Sequence, residues 1–174
     1  MTTHDSPRDP YAPSTSGGVT VRRARLADVE VVAPLFDAYR QFYGAASDPA
    51  AAREFLTRRL SRDESVILLA TAEARDGGGA RAAGFAQLYP AFSSVALGRT
   101  VVLNDLFVVP DCRRLGVARR LVVESVEHAR RVGAVRIELA TQHTNRNALA
   151  LYESEGFVRD TEFVHLSRAT GPGL

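Results

Sequence analysis

Asn104-Asp105-Leu106-Phe107-Val108-Val109-Pro110-Asp111-Cys112-Arg113-Arg114-Leu115-Gly116-Val117-Ala118 runs from an apolar strand through a basic turn into a helix. Pro110 ends the strand, and the next helix starts beside Gly116. The first turn of a helix has backbone N–H groups with no intrahelical partner, and its dipole places partial positive charge at the same point. Gly116 allows close backbone approach, and Ala118 keeps the first turn narrow. Arg113, Arg114, Arg119 and Arg120 add cationic side chains. The expected ligand is a di-anion such as a pyrophosphate. A plain strand-to-helix turn with exposed arginines is the competing explanation.

Working outward, residues 101–109 form the strand, and residues 117–132 form a helix ended by Gly133. Ala118, Leu121, Val122, Ser125, Ala129 and Val132 share its inner face; Arg120, Glu124, Glu127 and Arg131 form an outer stripe with salt links. A strand at 136–141 follows. Asn145 then caps a short helix that stops at Gly156, with Ala148, Leu151 and Tyr152 on one face. A strand at 162–168 closes the pattern.

Upstream, Pro7, Pro10, Pro13 and a Ser-Thr-Ser-Gly-Gly run make residues 1–18 a flexible tail. The domain is expected over 19–170. A strand at 19–25 precedes a helix at 28–43, with Pro34 imposing a kink or a late start. A second helix covers 49–60, with Phe55, Leu56 and Leu60 apolar. Strands at 65–72 and 82–89 flank an Asp76-Gly77-Gly78-Gly79 turn. The fold class is α/β: a mixed, mostly antiparallel central sheet flanked by helices.

Composition narrows the function. The chain has 174 residues, 45% of them hydrophobic, enough for one packed domain. No run approaches the roughly 20 apolar residues of a membrane span, and no signal peptide is evident. A lone cysteine, Cys112, allows no internal disulfide and points to a cytoplasmic setting. The net charge of +2 gives no case for nucleic-acid binding. All 22 basic residues are arginine, so apart from the N-terminus any acceptor amine comes from outside.

Arg113-x-x-Gly116-x-Ala118 resembles the Arg/Gln-x-x-Gly-x-Gly/Ala signature of the GNAT family of N-acetyltransferases, and 105–110 is similar to that family's fourth strand. Asn145-x-x-Ala148-x-x-Leu151-Tyr152-x-x-x-Gly156-Phe157 resembles its second signature. An isolated tyrosine is more often a core aromatic; two signatures in order favour a catalytic one. The resemblance covers roughly 19–168 and implies the GNAT fold, acetyl-CoA as cosubstrate and no metal. The pantetheine arm would meet Leu106, Phe107, Val108, Asn145 and Ala148. The phosphates would meet Arg113, Arg114, Leu115, Gly116, Val117, Ala118 and Arg119. Tyr152 would face the CoA sulfur.

Residues 85–94 and 103–106 look like a branch of small acetyltransferases related to the yeast histone-and-polyamine type, which implies a homodimer. Some polyamine enzymes carry a carboxylate where Asn104 stands; the amide here cannot take a proton at neutral pH. The implied reaction moves acetyl from acetyl-CoA to a primary amine of a small molecule or peptide by direct attack in a ternary complex. Alternatives are a non-catalytic acyl-CoA sensor, or acetylation of protein N-termini or antibiotic amines.

A lysine-like amine has a pKa of about 10.4, so only roughly one molecule in 2,500 is neutral at pH 7, a cost of about 4.6 kcal/mol. Asp105 is the candidate base, directly or through water, although an Asp at that point also suits backbone bonding; His143 is a weaker candidate. A backbone N–H near Phe107 or Val108 suits the oxyanion. Full proton transfer from Tyr152 to the thiolate is uphill by about 2 kcal/mol in water, so a strong hydrogen bond to sulfur is expected instead. Tyr39, Tyr43, Tyr89, Phe92 and Asn104 are the expected acceptor-site residues.

Overall fold

A computed structural model describes residues 12–73 and 79–171. Six strands form one sheet in chain order: β1 (Ser14–Ser16), β2 (Val19–Arg23), β3 (Val66–Glu73), β4 (Ala80–Ser93), β5 (Gly98–Val108) and β6 (Arg136–Leu139). All neighbours are antiparallel except β5 and β6, which run parallel. Helices α1 (Val29–Phe42) and α2 (Pro49–Ser61) lie between β2 and β3. Helix α3 (Val117–Arg131) makes the crossover from β5 to β6, and α4 (Arg146–Ser154) follows β6.

Strand alternation splits the apolar residues into two cores. On one face, Ile67, Leu69, Phe85 and Phe107 pack with Val32, Phe36 and Leu56 from α1 and α2. On the other, Leu68, Ala86, Leu88 and Leu103 pack with Leu121 and Val122 of α3, with Tyr152 and Phe157 at the margin. Each fully buried Leu or Val contributes about 1.5–3 kcal/mol.

Three expectations change. The proline-rich tail is expected to run through residue 18, but Ser14–Ser16 pairs with Val19–Val21 through a turn whose Gly17 and Gly18 have φ of +59° and +74°. Residues 1–11 lie outside the described residues, as do residues 76–78 of the expected glycine turn. Pro34 neither delays α1 nor ends it: the helix starts at Val29 and runs through, with Pro34 exposed and Val32, Ala33, Leu35 and Phe36 buried around it. Tertiary burial offsets the lost hydrogen bond. Phe55, an apolar position of α2 as expected, is 38% exposed and stacks on Phe36 at 5.5 Å.

The largest difference is at the C-terminus. No strand occurs at 162–168; Phe163, Val164 and Leu166 are 72%, 84% and 92% exposed. The short apolar run suits a strand, but these side chains have no apolar face to cover them here.

Candidate active site

The central feature is a β-bulge. Gln87 pairs with Asp105, yet the next residue, Leu88, pairs with Leu103, so Asn104 is extra on β5. One extra residue inverts the alternation beyond it. Leu103 faces the α3 core, whereas Asp105 and Phe107 turn to the α1–α2 face. Without the bulge, Asp105 would point the other way.

Asp105 is 6% exposed. Burial pushes its carboxyl above the ordinary value, partly opposed by bonds from Asn104 and Tyr39. Asn104 Nδ2 donates to Asp105 Oδ1 at 3.0 Å. Tyr39 comes from α1, its ring held edge-on to Phe85 at 6.0 Å and Phe107 at 6.4 Å. Tyr43 packs edge-on to Tyr39 at 5.1 Å. Tyr89, two residues beyond Gln87 on the same strand, has its phenol pushed up to about 12, first by burial and then by the Asp105 charge.

Tyr152 approaches this cluster from α4. Its phenol is pushed up by burial and by Tyr43, and it also acts on Tyr39. The ring leans on Phe157 at 5.8 Å. Asn145 caps α4 as expected, its side chain accepting from Ala148 N at 3.2 Å. Tyr39, Tyr43, Tyr89, Asn104, Asp105 and Tyr152 therefore belong to one neighbourhood.

Phe92 does not belong to it. It lies near the tip of the β4–β5 hairpin, 73% exposed, with the Arg99 guanidinium 5.5 Å from its ring centroid. A long antiparallel hairpin carries it beyond the helices that wall the tyrosine cluster.

β6 pairs with β5 only from Thr100 to Leu103. Residues 104–108 thus have no strand neighbour on that side among the described residues. An extended ligand can add there like a strand, with Leu106, Phe107 and Val108 offering backbone groups.

The turn after β5 is built for close approach. Gly116 caps α3 in the left-handed conformation, φ +80°, and a side chain there would meet open space. Arg114 is also left-handed, at φ +62°. The first amide of the helix with an intrahelical partner is Arg120, donating to Gly116 O at 3.0 Å. That leaves the N–H groups of Val117, Ala118 and Arg119 for another acceptor. Leu115 and Ala118 are half-buried beside them.

The arginines divide their roles. Arg113 Nε donates to Val108 O at 3.3 Å, bracing the strand to the turn. Arg119 bonds Glu155 and, at 3.1 Å, Ser154 Oγ, tying α3 to α4. Arg120 bonds Ser14 and Glu124. Arg114 is exposed at the mouth of the turn.

Two residues escaped the sequence reading. Gln87 is fully buried, with Nε2 donating to Ser65 Oγ at 3.1 Å and Oε1 without a partner among the described residues. A lone amide within Phe85-Ala86-Gln87-Leu88 was the available signal. Glu155, the partner of Arg119, had none. His143, the weaker candidate base, is an exposed loop residue. Among the described residues no helix is long and apolar enough to cross a membrane.

The model of the acetyltransferase (GNAT) family matches residues 32–157. The chain is 45% identical over 147 residues to a Bacillus subtilis (strain 168) protein named "Uncharacterized N-acetyltransferase YhfO", covering 84% of this chain and 95% of that one. It is 38% identical over 84 residues to a Caenorhabditis elegans thialysine N-epsilon-acetyltransferase, covering 48% of this chain and 52% of that one. A crystal structure of a probable acetyltransferase superposes with a TM-score of 0.80 at 42% identity, covering 88% of this chain and 99% of the other.

Proposed function

We propose that this chain, which belongs to the acetyltransferase (GNAT) family and is an acyltransferase, moves the acetyl group of acetyl-CoA onto a primary amine of a small molecule or peptide. The observation that carries the reading is the convergence of Asp105 from the β5 bulge and Tyr152 from α4 on the same tyrosine cluster.

The residues present suit acetyl-CoA. The amides of Val117, Ala118 and Arg119 and the Arg114 guanidinium suit the pyrophosphate. The open side of β5 suits the pantetheine arm. When bound, acetyl-CoA supplies a thioester, and the chain supplies proton handling around it.

Asp105 takes one proton from the acceptor ammonium, leaving a neutral amine with a lone pair. The carbon–nitrogen bond then forms as the carbon–sulfur bond breaks. A β5 amide near Phe107 or Val108 stabilises the developing oxyanion. Tyr152 donates a hydrogen bond to the departing sulfur, which ends as the thiol once the second amine proton is lost. Tyr39, Tyr43 and Tyr89 wall the acceptor site, where aromatic faces favour a cation beside the buried carboxylate.

The C. elegans relative's name supports an acceptor with its amine at the end of an aliphatic chain. The buried lone Cys112 suits a reducing cytoplasm. A homodimer would cover Phe163, Val164 and Leu166, which are exposed here. A panel of amines, including thialysine, followed by release of CoA thiol tests the reading. Amine-dependent release is expected; acetyl-CoA binding without release to any amine would leave a non-catalytic binder.

A further inference from the structure

Gln87 is fully buried, and its carbonyl oxygen Oε1 has no donor among the described residues. A buried acceptor left without a donor is costly and uncommon in a native fold. Its surroundings say which group satisfies it, and when.

The middle of β4 alternates between the two cores. Ala86 and Leu88 belong to the α3 side and Phe85 to the α1–α2 side, so Gln87 faces α1 and α2. On β5, Phe107 belongs to the same α1–α2 core, and Asp105 lies two residues before it. Gln87 and Asp105 are register partners, so their side chains rise side by side from one face of the sheet. Directly paired residues of antiparallel strands hold their Cβ atoms about 4.5–5.5 Å apart, a gap across which a glutamine amide and a carboxyl can meet. β4 lies between β3 and β5. The Gln87 nitrogen is committed to the β3 side, where Nε2 donates to Ser65 Oγ at 3.1 Å just before that strand. The oxygen is the end of the amide left for the β5 side.

The other groups around Asp105 have different parts. On its own strand, Asn104 Nδ2 donates to Oδ1 at 3.0 Å, which leaves Oδ2 to carry a proton. The Asp105 charge acts on Tyr39 of α1 and Tyr89 of β4. Tyr43 of α1 and Tyr152 of α4 act in turn on Tyr39. Arg59 of α2, ion-paired with Glu64 at 2.6 Å, acts on Tyr89. An ionised Asp105 has no donor to offer Gln87, whereas the protonated acid has one O–H. The orphaned carbonyl therefore matches the state of Asp105 that exists after the acceptor's proton has arrived.

We propose that Gln87 is a positioning residue for that proton: once Asp105 has taken it, the carboxyl O–H turns about its C–O bond and donates to Gln87 Oε1. An N–H bond of the ammonium breaks, an O–H bond of Asp105 forms, and the electron pair stays on nitrogen for the attack. Gln87 accepts a hydrogen bond and no proton. The proton then points away from the amine and is not returned before the carbon–nitrogen bond forms. This role rests on the reading of Asp105 as the base. A hydrogen bond made to the neutral acid favours that form, so Gln87 works with burial to raise the carboxyl.

Two measurements on the full-length protein test it. In the natural chain labelled with 13Cδ-glutamine and 13Cγ-aspartate, the Gln87 carbonyl signal is expected to move downfield as the pH falls, with the same midpoint as the Asp105 carboxyl. A Gln87 signal that stays in place while Asp105 titrates overturns the proposal. Gln87→Met keeps the length of the side chain and removes the amide. Asp105 is expected to titrate about one pH unit lower in this variant, and the acid limb of kcat/KM with thialysine should move down by the same amount. An unmoved midpoint means that Gln87 only packs. A raised midpoint means that its amide, turned end for end or bridged by water, donates to the carboxylate. Either result overturns the proposal, and the carbonyl signal of the natural chain decides the matter if the variant does not fold. Asp105→Asn separates the two claims: acetylation of thialysine at the natural rate would show that Asp105 is not the base, whereas the midpoint in Gln87→Met bears on the positioning role alone.

Discussion

Gln87 stands directly opposite Asp105 across the β4–β5 ladder, while Leu88 stands opposite Leu103. That single slipped step rotates Asp105 out of the α3 core and buries it among the tyrosines of the α1–α2 face.

Burial of a carboxylate costs stability. The Asp105 carboxyl is raised above its ordinary value. The folded chain therefore binds that proton more tightly than the unfolded chain. Stability falls as pH rises from the ordinary carboxylate range through the raised value. Asp105→Asn removes this loss. Its Tm is expected to exceed the natural protein's at pH 8, with the gain shrinking as the pH approaches about 4. Differential scanning calorimetry at the two pH values checks this, and acetyl transfer should be lost in the same variant. A gain equal at both pH values would contradict the account.

Neighbouring arginines should behave differently. Arg113 is committed to Val108 O, so Arg113→Ala is expected to lower stability by about 1 kcal/mol. Arg114 is exposed at the turn, so Arg114→Ala should leave the Tm in place and weaken acetyl-CoA binding about fivefold or more. Denaturant melts paired with titration calorimetry distinguish them; equal effects on affinity would show that both meet the phosphates.

Gly84 lies between β3 and β5, and a Cβ there would sit 2.3 Å from the Phe107 carbonyl oxygen. Backbone cannot yield as a side-chain tip can. Gly84→Ala is expected to destabilise the fold by about 1–3 kcal/mol, read from the shift in the urea midpoint. Because Phe107 orients Tyr39, activity should fall at temperatures where the variant is still folded.

Local pattern made much of this legible. Gly116 after a strand and before an amphipathic helix marked the turn, and Asn145 ahead of Ala148 and Tyr152 marked α4 and its cap. Both depend on nearest-neighbour chemistry. The bulge at Asn104 left no such mark, because it is set by how β4 and β5 pair over their whole length. Hence Asp105 was readable as a candidate, but not its burial or its facing Tyr39. Phe92 looked like Tyr89 in sequence; only the hairpin's length sends it into solvent. Phe163, Val164 and Leu166 form a short apolar cluster like that of a strand, but pairing with a sheet edge is a tertiary event that the local pattern does not encode.

The proposed acetyl transfer turns on Tyr152 serving the departing sulfur. The most direct measurement is the rate of CoA thiol release from acetyl-CoA with saturating amine, compared between the natural chain and Tyr152→Phe. A kcat about 10²- to 10⁴-fold lower is expected in the variant, with acetyl-CoA still bound. A variant that releases thiol at the natural rate would contradict it.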